Sequence, residues 1–337
     1  MLPSQQEADI RAQWRSGRQS FVLHSSGSTG APAAHTLSRK LMEWSAAQTG
    51  MALQVQASDR IFCCLPLDKV GGLMQVVRSE SWNIPLLAIQ PALHPMQFLE
   101  DKHPYSITSL TGSQLNASLN DTAETARLCR FRVVLAGGEA LSAATEQKSL
   151  DAGIHLWHTY GMTETASHIA LRKAGTKGFI PFPGVALKCD ARDGHLIISI
   201  PGILEAPLHT RDRASVESDG SFRILGRLDT VINSGGMKIQ AEDVEQIIDR
   251  LHMLLDRAFV VAGAPDATWG EAVVLLVEGE PFPLEPEQLK NAINNCIPYG
   301  APKRIQFIPK LPRTDNGKIN RYEVQKFLHH KHRDDSV

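Results

Sequence analysis

The sequence predicts an α/β protein in two parts, a large N-terminal α/β domain followed by a small C-terminal α+β domain. Three observations lead there. Short apolar runs recur along the chain with Gly, Pro and polar residues between them, a length and flanking pattern that favours buried strands. Stretches that read as helices lie between these runs, and such alternation is the mark of an α/β fold. At 337 residues the chain is also long enough for about two domains.

The runs expected as strands are Ser20 to Leu23, Arg60 to Leu65, Leu86 to Gln90, Arg132 to Leu135, Leu196 to Ile200, Phe222 to Leu225, Ala258 to Ala262 and Ala272 to Val277. Helices are expected over Ser38 to Thr49, Ser142 to Ala152 and Ala241 to Leu251. The last carries Val244, Ile247, Ile248 and Leu251 at the spacing of a one-faced helix, and it opens what reads as a separate unit. That unit runs helix, two strands, a Pro-rich connection at Pro281 to Pro286, a helix and a short strand at Arg304 to Ile308. The boundary falls near Arg227 to Thr230, giving domains over 1–227 and 230–337. His329 to Arg333 reads as a solvated, frayed tail, with metal or anion binding as the alternative.

Composition narrows the partners. Lys plus Arg total 35 against 36 Asp plus Glu, so no global positive field draws the chain to nucleic acid or to an anionic membrane, and small molecules are the expected partners. Five cysteines, with no C-x-x-C pair, suggest neither a zinc site nor a closed disulfide set and fit a reducing compartment. The first twenty residues lack the apolar core of a signal peptide, and no run approaches the ~18 apolar residues of a membrane span. A cytoplasmic protein without stable membrane insertion is the expectation, with monomer and homo-oligomer both open.

Four segments carry chemistry. Ser25-Ser26-Gly27-Ser28-Thr29-Gly30 follows an apolar strand, and its small residues let backbone N–H groups and hydroxyls converge on an anion. It is neither a Walker loop nor G-x-G-x-x-G, and a Ser/Gly-rich surface turn is the alternative. Tyr160-Gly161-Met162-Thr163-Glu164-Thr165 joins a ring able to stack on a base, hydroxyls within reach of a phosphate, and one carboxylate suited to nucleotide-bound Mg²⁺. Its alternative is a helix N-terminus with a Thr cap. Thr210-Arg211-Asp212 precedes Gly226-Arg227-Leu228-Asp229 across a hairpin turn at Asp219-Gly220, and an Asp and an Arg at strand ends suit a ribose diol as well as an ordinary ion pair. Lys318, in Pro312 to Arg321, follows a Gly turn and can neutralise charge as pyrophosphate leaves.

Taken together with Gly137-Gly138-Glu139-Ala140 and the run Gly226 to Ile239 (GRLDTVINSGGMKI), the order and spacing of these segments resemble the adenylate-forming superfamily of acyl-CoA synthetases, luciferases and peptide-synthetase adenylation domains. The match spans Phe21 to Arg321. Within it, YGMTETASHIALRK (160–173) and INSGGMKI are similar to the o-succinylbenzoate:CoA ligases of menaquinone biosynthesis, in a compact form lacking much of the usual N-terminal region. The resemblance implies ATP, Mg²⁺ and coenzyme A as cofactors and a small carboxylic acid as substrate. It also implies roles residue by residue: Ser25 to Gly30 toward phosphate; Gly137, Gly138, Glu139 and Tyr160 around adenine; Thr163 at the α-phosphate; Glu164 on the metal. Asp212 and Arg227 would hold ribose, Asp229 would be the hinge within 228–229, Gly235 and Gly236 would line the pantetheine tunnel, and Lys318 would be the catalytic lysine of a mobile C-terminal domain.

The chain departs from that pattern twice. Ala33 stands where the family loop usually has a lysine, and Lys69 stands where it usually has a histidine. Ser167 and His168 are the first candidates for contact with the acid, and Arg78, Lys69 and Thr111 are more remote ones. An adenylase or ligase for another small acid, and a nucleotide-binding homologue without catalysis, are the rival functions.

Overall fold

A computed structural model describes residues 3–25, 33–254, 257–314 and 319–334. Helix α1 (Pro3–Arg15) buries Ile10 and Trp14 on one side. Strands β1 (Ser20–Ser25) and β2 (Ala33–Ser38) pair antiparallel from Ser20↔Ser38 to Ser25↔Ala33, so a complete ladder flanks the Ser/Gly-rich segment, whose residues Ser26 to Gly30 lie outside the described residues. Ser38 then caps helix α2 (Arg39–Ala52) by accepting from the Leu41 N–H.

The central sheet holds seven strands: β3 (Ile61–Cys63), β4 (Leu86–Ala88), β5 (Ile107–Leu110), β6 (Val133–Ala136), β7 (Leu156–Met162), β8 (Ser167–Lys173) and β9 (Ile180–Pro181), in the order β4-β3-β5-β6-β7-β8-β9. The first five are parallel, and β8 and β9 return antiparallel. Adjacent residues of a strand face opposite sides. Phe62, Leu110 and Val134 therefore pack toward Leu115 and Leu128 of helices α4 (Gly112–Leu119) and α5 (Thr122–Leu128), while Ile61, Ile107 and Val133 pack with Leu53 and Ile84 on the other face.

Helix α3 (Val70–Trp82) packs against α2, and Gly72 through Ser79 are all buried. It has no exposed stripe, which is why apolar periodicity did not reveal it. Helix α6 (Ala143–Asp151) forms within the expected Ser142 to Ala152 stretch, with Ser142 as its cap.

A second, antiparallel sheet is built from β10 (Ala186–Cys189), β11 (His195–Ser199), β12 (Leu208–Val216) and β13 (Phe222–Arg227), with Asp219 and Gly220 in the β12–β13 turn. A short 3₁₀ turn, Leu228–Thr230, leads to the last sheet.

That sheet contains β14 (Val231–Ser234), β15 (Met237–Gln240), β16 (Phe259–Asp266), β17 (Gly270–Glu278) and β18 (Arg304–Ile308). Helices α7 (Ala241–Leu251) and α8 (Pro286–Cys296) cover one face through Val244, Ile248, Leu289 and Ile293, and α9 (Arg321–Asp334) covers the other through Val324 and Leu328. The backbone of α9 is helical through His329 to Arg333, where the sequence suggested a frayed tail. Among the described residues no helix is long and apolar enough to cross a membrane.

Candidate active site

The C-terminal ends of parallel strands are where open α/β sheets bind ligands, and a cavity of about 360 Å³ lies there. Its walls come from the ends of β5, β6 and β7, from the start of β8, and from α3. Gly137 and Gly138 follow β6 and line it. At Gly137 a Cβ would stand 1.9 Å from Thr159 Oγ1, so any side chain there requires Thr159 to shift. Glu139, which follows Gly138, is turned to α4: its Oε1 accepts from the Ser113 N–H at 3.0 Å, anchoring the first turn of that helix.

Tyr160, near the end of β7, is buried and its hydroxyl donates to Asp212 Oδ2 at 2.7 Å. Burial, with the Asp212 carboxylate, pushes the phenol pKa far up, so Tyr160 stays a donor. Asp212 Oδ1 accepts from Arg227 Nη1 at 2.9 Å, while Arg227 Nε and Nη2 each donate to the Asp229 carboxylate at 2.9 Å. Burial works to raise the Asp229 pKa, but the hydrogen bond and charge of Arg227, with the charge of Arg211 added, hold it below the usual carboxylate range. Arg227 thus joins Asp212 to the 3₁₀ turn that connects the last two sheets.

The segment after Tyr160 is no helix start. Thr163–Thr165 makes one 3₁₀ turn and the chain reverses into β8 with Ala166 at φ 49° and Ser167 at φ 93°, unusual values for residues with a Cβ. Thr165 Oγ1 secures the reversal, accepting from the Met162 N–H at 3.0 Å and donating to the Ser167 carbonyl at 2.6 Å. The reversal leaves Glu164 partly exposed, 3.7 Å from His35 Nδ1 on β2. Thr163 opens the same turn. Ser167 and His168 face the cavity.

Opposite them stands Arg78 of α3, only 2% exposed. Its Nη2 lies 3.4 Å from Ser167 Oγ and 3.4 Å from His168 Nδ1, its Nε has no partner, and no carboxylate pairs with it among the described residues. Burial lowers its pKa to about 9, which leaves it a cation at neutral pH.

A family model described as AMP-binding enzyme matches residues 4–195, and one described as AMP-binding enzyme C-terminal domain matches residues 243–318. The chain belongs to the AMP-binding enzyme family. Among curated relatives, a 2-succinylbenzoate–CoA ligase of Listeria monocytogenes serotype 4b is 28% identical over 93% of this chain and 71% of its own length. One of Bacillus cytotoxicus is 25% identical over 92% and 70%. Among solved structures, an AMP-forming acyl-CoA synthetase-like protein of Dyadobacter fermentans is 30% identical, with a TM-score of 0.62, over 96% of this chain and 93% of that one. The o-succinylbenzoate CoA synthetase of Bacillus subtilis, in complex with its acyl-adenylate intermediate, has a TM-score of 0.76 at 21% identity over 90% and 68%.

This AMP-binding enzyme gathers the residues singled out in its sequence into three groups. Tyr160, Asp212, Arg227 and Asp229 form one hydrogen-bonded network; Gly137, Gly138, Ser167 and His168 share the cavity; Glu164 lies beside the β1–β2 hairpin. Gly235 and Gly236 are not in the cavity wall: they form the two-residue turn between β14 and β15, with φ of 59° and 81°. Ser26 to Gly30 and Lys318 lie outside the described residues; Ser25 ends β1, and Arg313 pairs with Ile319 across the segment that holds Lys318. Lys69 lines the cavity and its Nζ donates to the His24 carbonyl at 3.3 Å, while Ala33 opens β2. The residue that sequence reading undervalued is Arg78. The available signal was the cation that directly follows Val70 to Val77, a run without charge.

Proposed function

We propose that this enzyme is an AMP-forming acid:CoA ligase whose acid is o-succinylbenzoate, a keto acid carrying a second, aromatic carboxylate. Arg78 is the observation that carries the choice of acid: a buried cation on the cavity wall with no carboxylate partner among the described residues. Burying an uncompensated charge costs several kcal/mol, and an anion that arrives with the ligand offsets that cost. The names of the Listeria and Bacillus relatives support the same acid.

The donor sets fit the remaining groups. Each oxygen of Asp212 accepts one hydrogen bond from protein and keeps a lone pair for a ribose hydroxyl. Arg227 supplies a donor beside it. Glu164 presents an accessible carboxylate, the kind of ligand Mg²⁺ takes, and the ion supplies charge neutralisation at the phosphates. Gly137, Gly138, Glu139 and Tyr160 frame adenine; Thr163 and the Ser25 to Gly30 segment donate to phosphate.

In the first half-reaction an oxygen of the aliphatic carboxylate attacks the α-phosphorus of ATP and the bond to pyrophosphate breaks. In the second the CoA thiol attacks the acyl carbonyl, losing its proton, and AMP leaves. No protein nucleophile is needed; the chain orients the reactants and neutralises charge. Lys318 serves the first step, and Gly235 and Gly236 line the approach of pantetheine in the second. Asp229 is the pivot between 1–227 and 230–337, because the arrangement seen here is tied across it by Arg227 to Asp229 and by Arg213 Nη1 to Gln240 Oε1 at 2.9 Å.

Asp229→Pro fixes φ at the pivot, and adenylation is expected to persist while CoA transfer falls by about a hundredfold. Asp229→Ala, which loses the carboxylate and keeps the backbone free, separates the two effects. Unchanged turnover by the Pro variant removes the pivot.

The function is tested by AMP and pyrophosphate release over a panel of acids. Release driven by o-succinylbenzoate is expected. Release driven only by another acid reassigns the substrate, and nucleotide binding without release for any acid makes the chain a non-catalytic homologue.

A further inference from the structure

The guanidinium on the cavity wall lies 3.4 Å from a buried imidazole, and a hydroxyl on α2 lies 2.9 Å from the far nitrogen of that ring. We propose that His168 is a positioning residue: Thr49 fixes it as the Nε2–H tautomer, so that its unprotonated Nδ1 faces Arg78 and holds the guanidinium in place for the acid's second carboxylate. The inference rests on the reading of the acid given above.

The proton count runs along one chain of contacts. Thr49 Oγ1 donates to the Ser45 carbonyl one turn back in α2, at 2.8 Å, which commits the only hydroxyl proton. The same oxygen lies 2.9 Å from His168 Nε2, so it accepts there and Nε2 carries the hydrogen. Thr49 and His168 are both buried, and Phe182 closes the ring from the side with its centroid 5.6 Å away. Burial, and then the charge of Arg78, push the imidazole pKa well below its ordinary value, so His168 is neutral and Nδ1 has a lone pair.

Arg78 Nη2 lies 3.4 Å from Nδ1 and 3.5 Å from Nε2. With the Nε2 hydrogen committed to Thr49, Nδ1 is the one ring atom able to accept. Ser167 Oγ, 3.3 Å from Nδ1 and 3.4 Å from Nη2, closes the triangle. The opposite tautomer sets an N–H against the guanidinium and a bare nitrogen against a hydroxyl oxygen whose hydrogen points elsewhere. Nδ1–H could then turn only to Ser167 Oγ at 3.3 Å, while the contacts with the guanidinium and with the Thr49 oxygen would both be repulsive. The arrangement parallels metal-bound histidines, whose far nitrogen is fixed by a partner behind the ring.

Two measurements on the full chain test this. Nitrogen and carbon NMR on histidine-labelled protein, with the His168 signals assigned by comparison with His168→Asn, is expected to show the Nε2–H form in the unaltered enzyme and a loss of that preference in Thr49→Val. Kinetically, Thr49→Val is expected to raise KM for o-succinylbenzoate about tenfold with kcat changed less than twofold, and to leave KM for 4-phenyl-4-oxobutanoate within about twofold. His168→Asn, whose Oδ1 takes the place of Nδ1, is expected to keep a low KM for o-succinylbenzoate; His168→Leu is expected to lose it. An Nδ1–H resonance in the unaltered enzyme overturns the inference whatever acid is used. Equal KM increases for both acids in Thr49→Val overturn the positioning role. Equal turnover of the two acids by the unaltered enzyme overturns the reading of the acid, and the role of His168 with it.

Discussion

Arg78→Met is expected to make the protein more stable and a worse enzyme. Met replaces a cation that is 2% exposed and has no carboxylate partner among the described residues by an apolar chain of similar reach. Exchanging buried charge for apolar volume stabilises by up to ~1–4 kcal/mol in comparable cases. Thermal unfolding is therefore expected to move up by several degrees, at roughly 2–4 °C per kcal/mol in a large domain. The same change strips the partner of the second carboxylate, and truncating one side of a buried charge pair costs ~2–5 kcal/mol. A fall of about a hundredfold or more in kcat/KM for o-succinylbenzoate is expected, with 4-phenyl-4-oxobutanoate changed far less. A structural role for Arg78 predicts the opposite sign in the melting curve. Lower stability, with equal losses for both acids, removes Arg78 from recognition.

Lys318→Ala is expected to lower acyl-adenylate formation by roughly 10²–10³, the scale seen when one preorganised charge-stabilising group is removed. Thioester formation from supplied acyl-adenylate is expected to survive, because no pyrophosphate leaves in that step. The two rates are separated by assaying the half-reactions independently. Equal losses in both would show that Lys318 supports the fold of the C-terminal part and has no special place in adenylation.

The sequence was informative where one physical signal dominates. The stripe Val244, Ile247, Ile248 predicts α7, and those residues are buried as the spacing requires. Asp219-Gly220 predicts the β12–β13 turn, and that hairpin brings Asp212 opposite Arg227 in register. Helix α3 was not legible, because a helix buried all round has no amphipathic period to read. The reversal at Ala166 and Ser167 was hidden for another reason: neither residue type announces a positive φ, and Thr165 supplies the hydrogen bonds that hold it.

The candidate site divides along the same line. The residues proposed for the nucleotide lie in short segments whose order resembles a family, so Tyr160, Asp212 and Arg227 could be named before their network was seen. The residues proposed for the acid come from α2, α3 and β8, with Arg78 and His168 90 positions apart and Thr49 and His168 119 apart. No local spacing links such residues. Ser167 and His168 were first choices as direct contacts with the acid; both line the cavity, and the role proposed for His168 acts through Arg78.

Arg78 suits the cavity to an acid with a second carboxylate. The decisive measurement is the ratio of kcat/KM for o-succinylbenzoate to that for 4-phenyl-4-oxobutanoate, by AMP release with the unaltered enzyme. A site whose buried donors are left unpaired by the simpler acid is expected to favour o-succinylbenzoate by about a hundredfold or more. A ratio near one contradicts the claim and leaves a generic acid:CoA ligase.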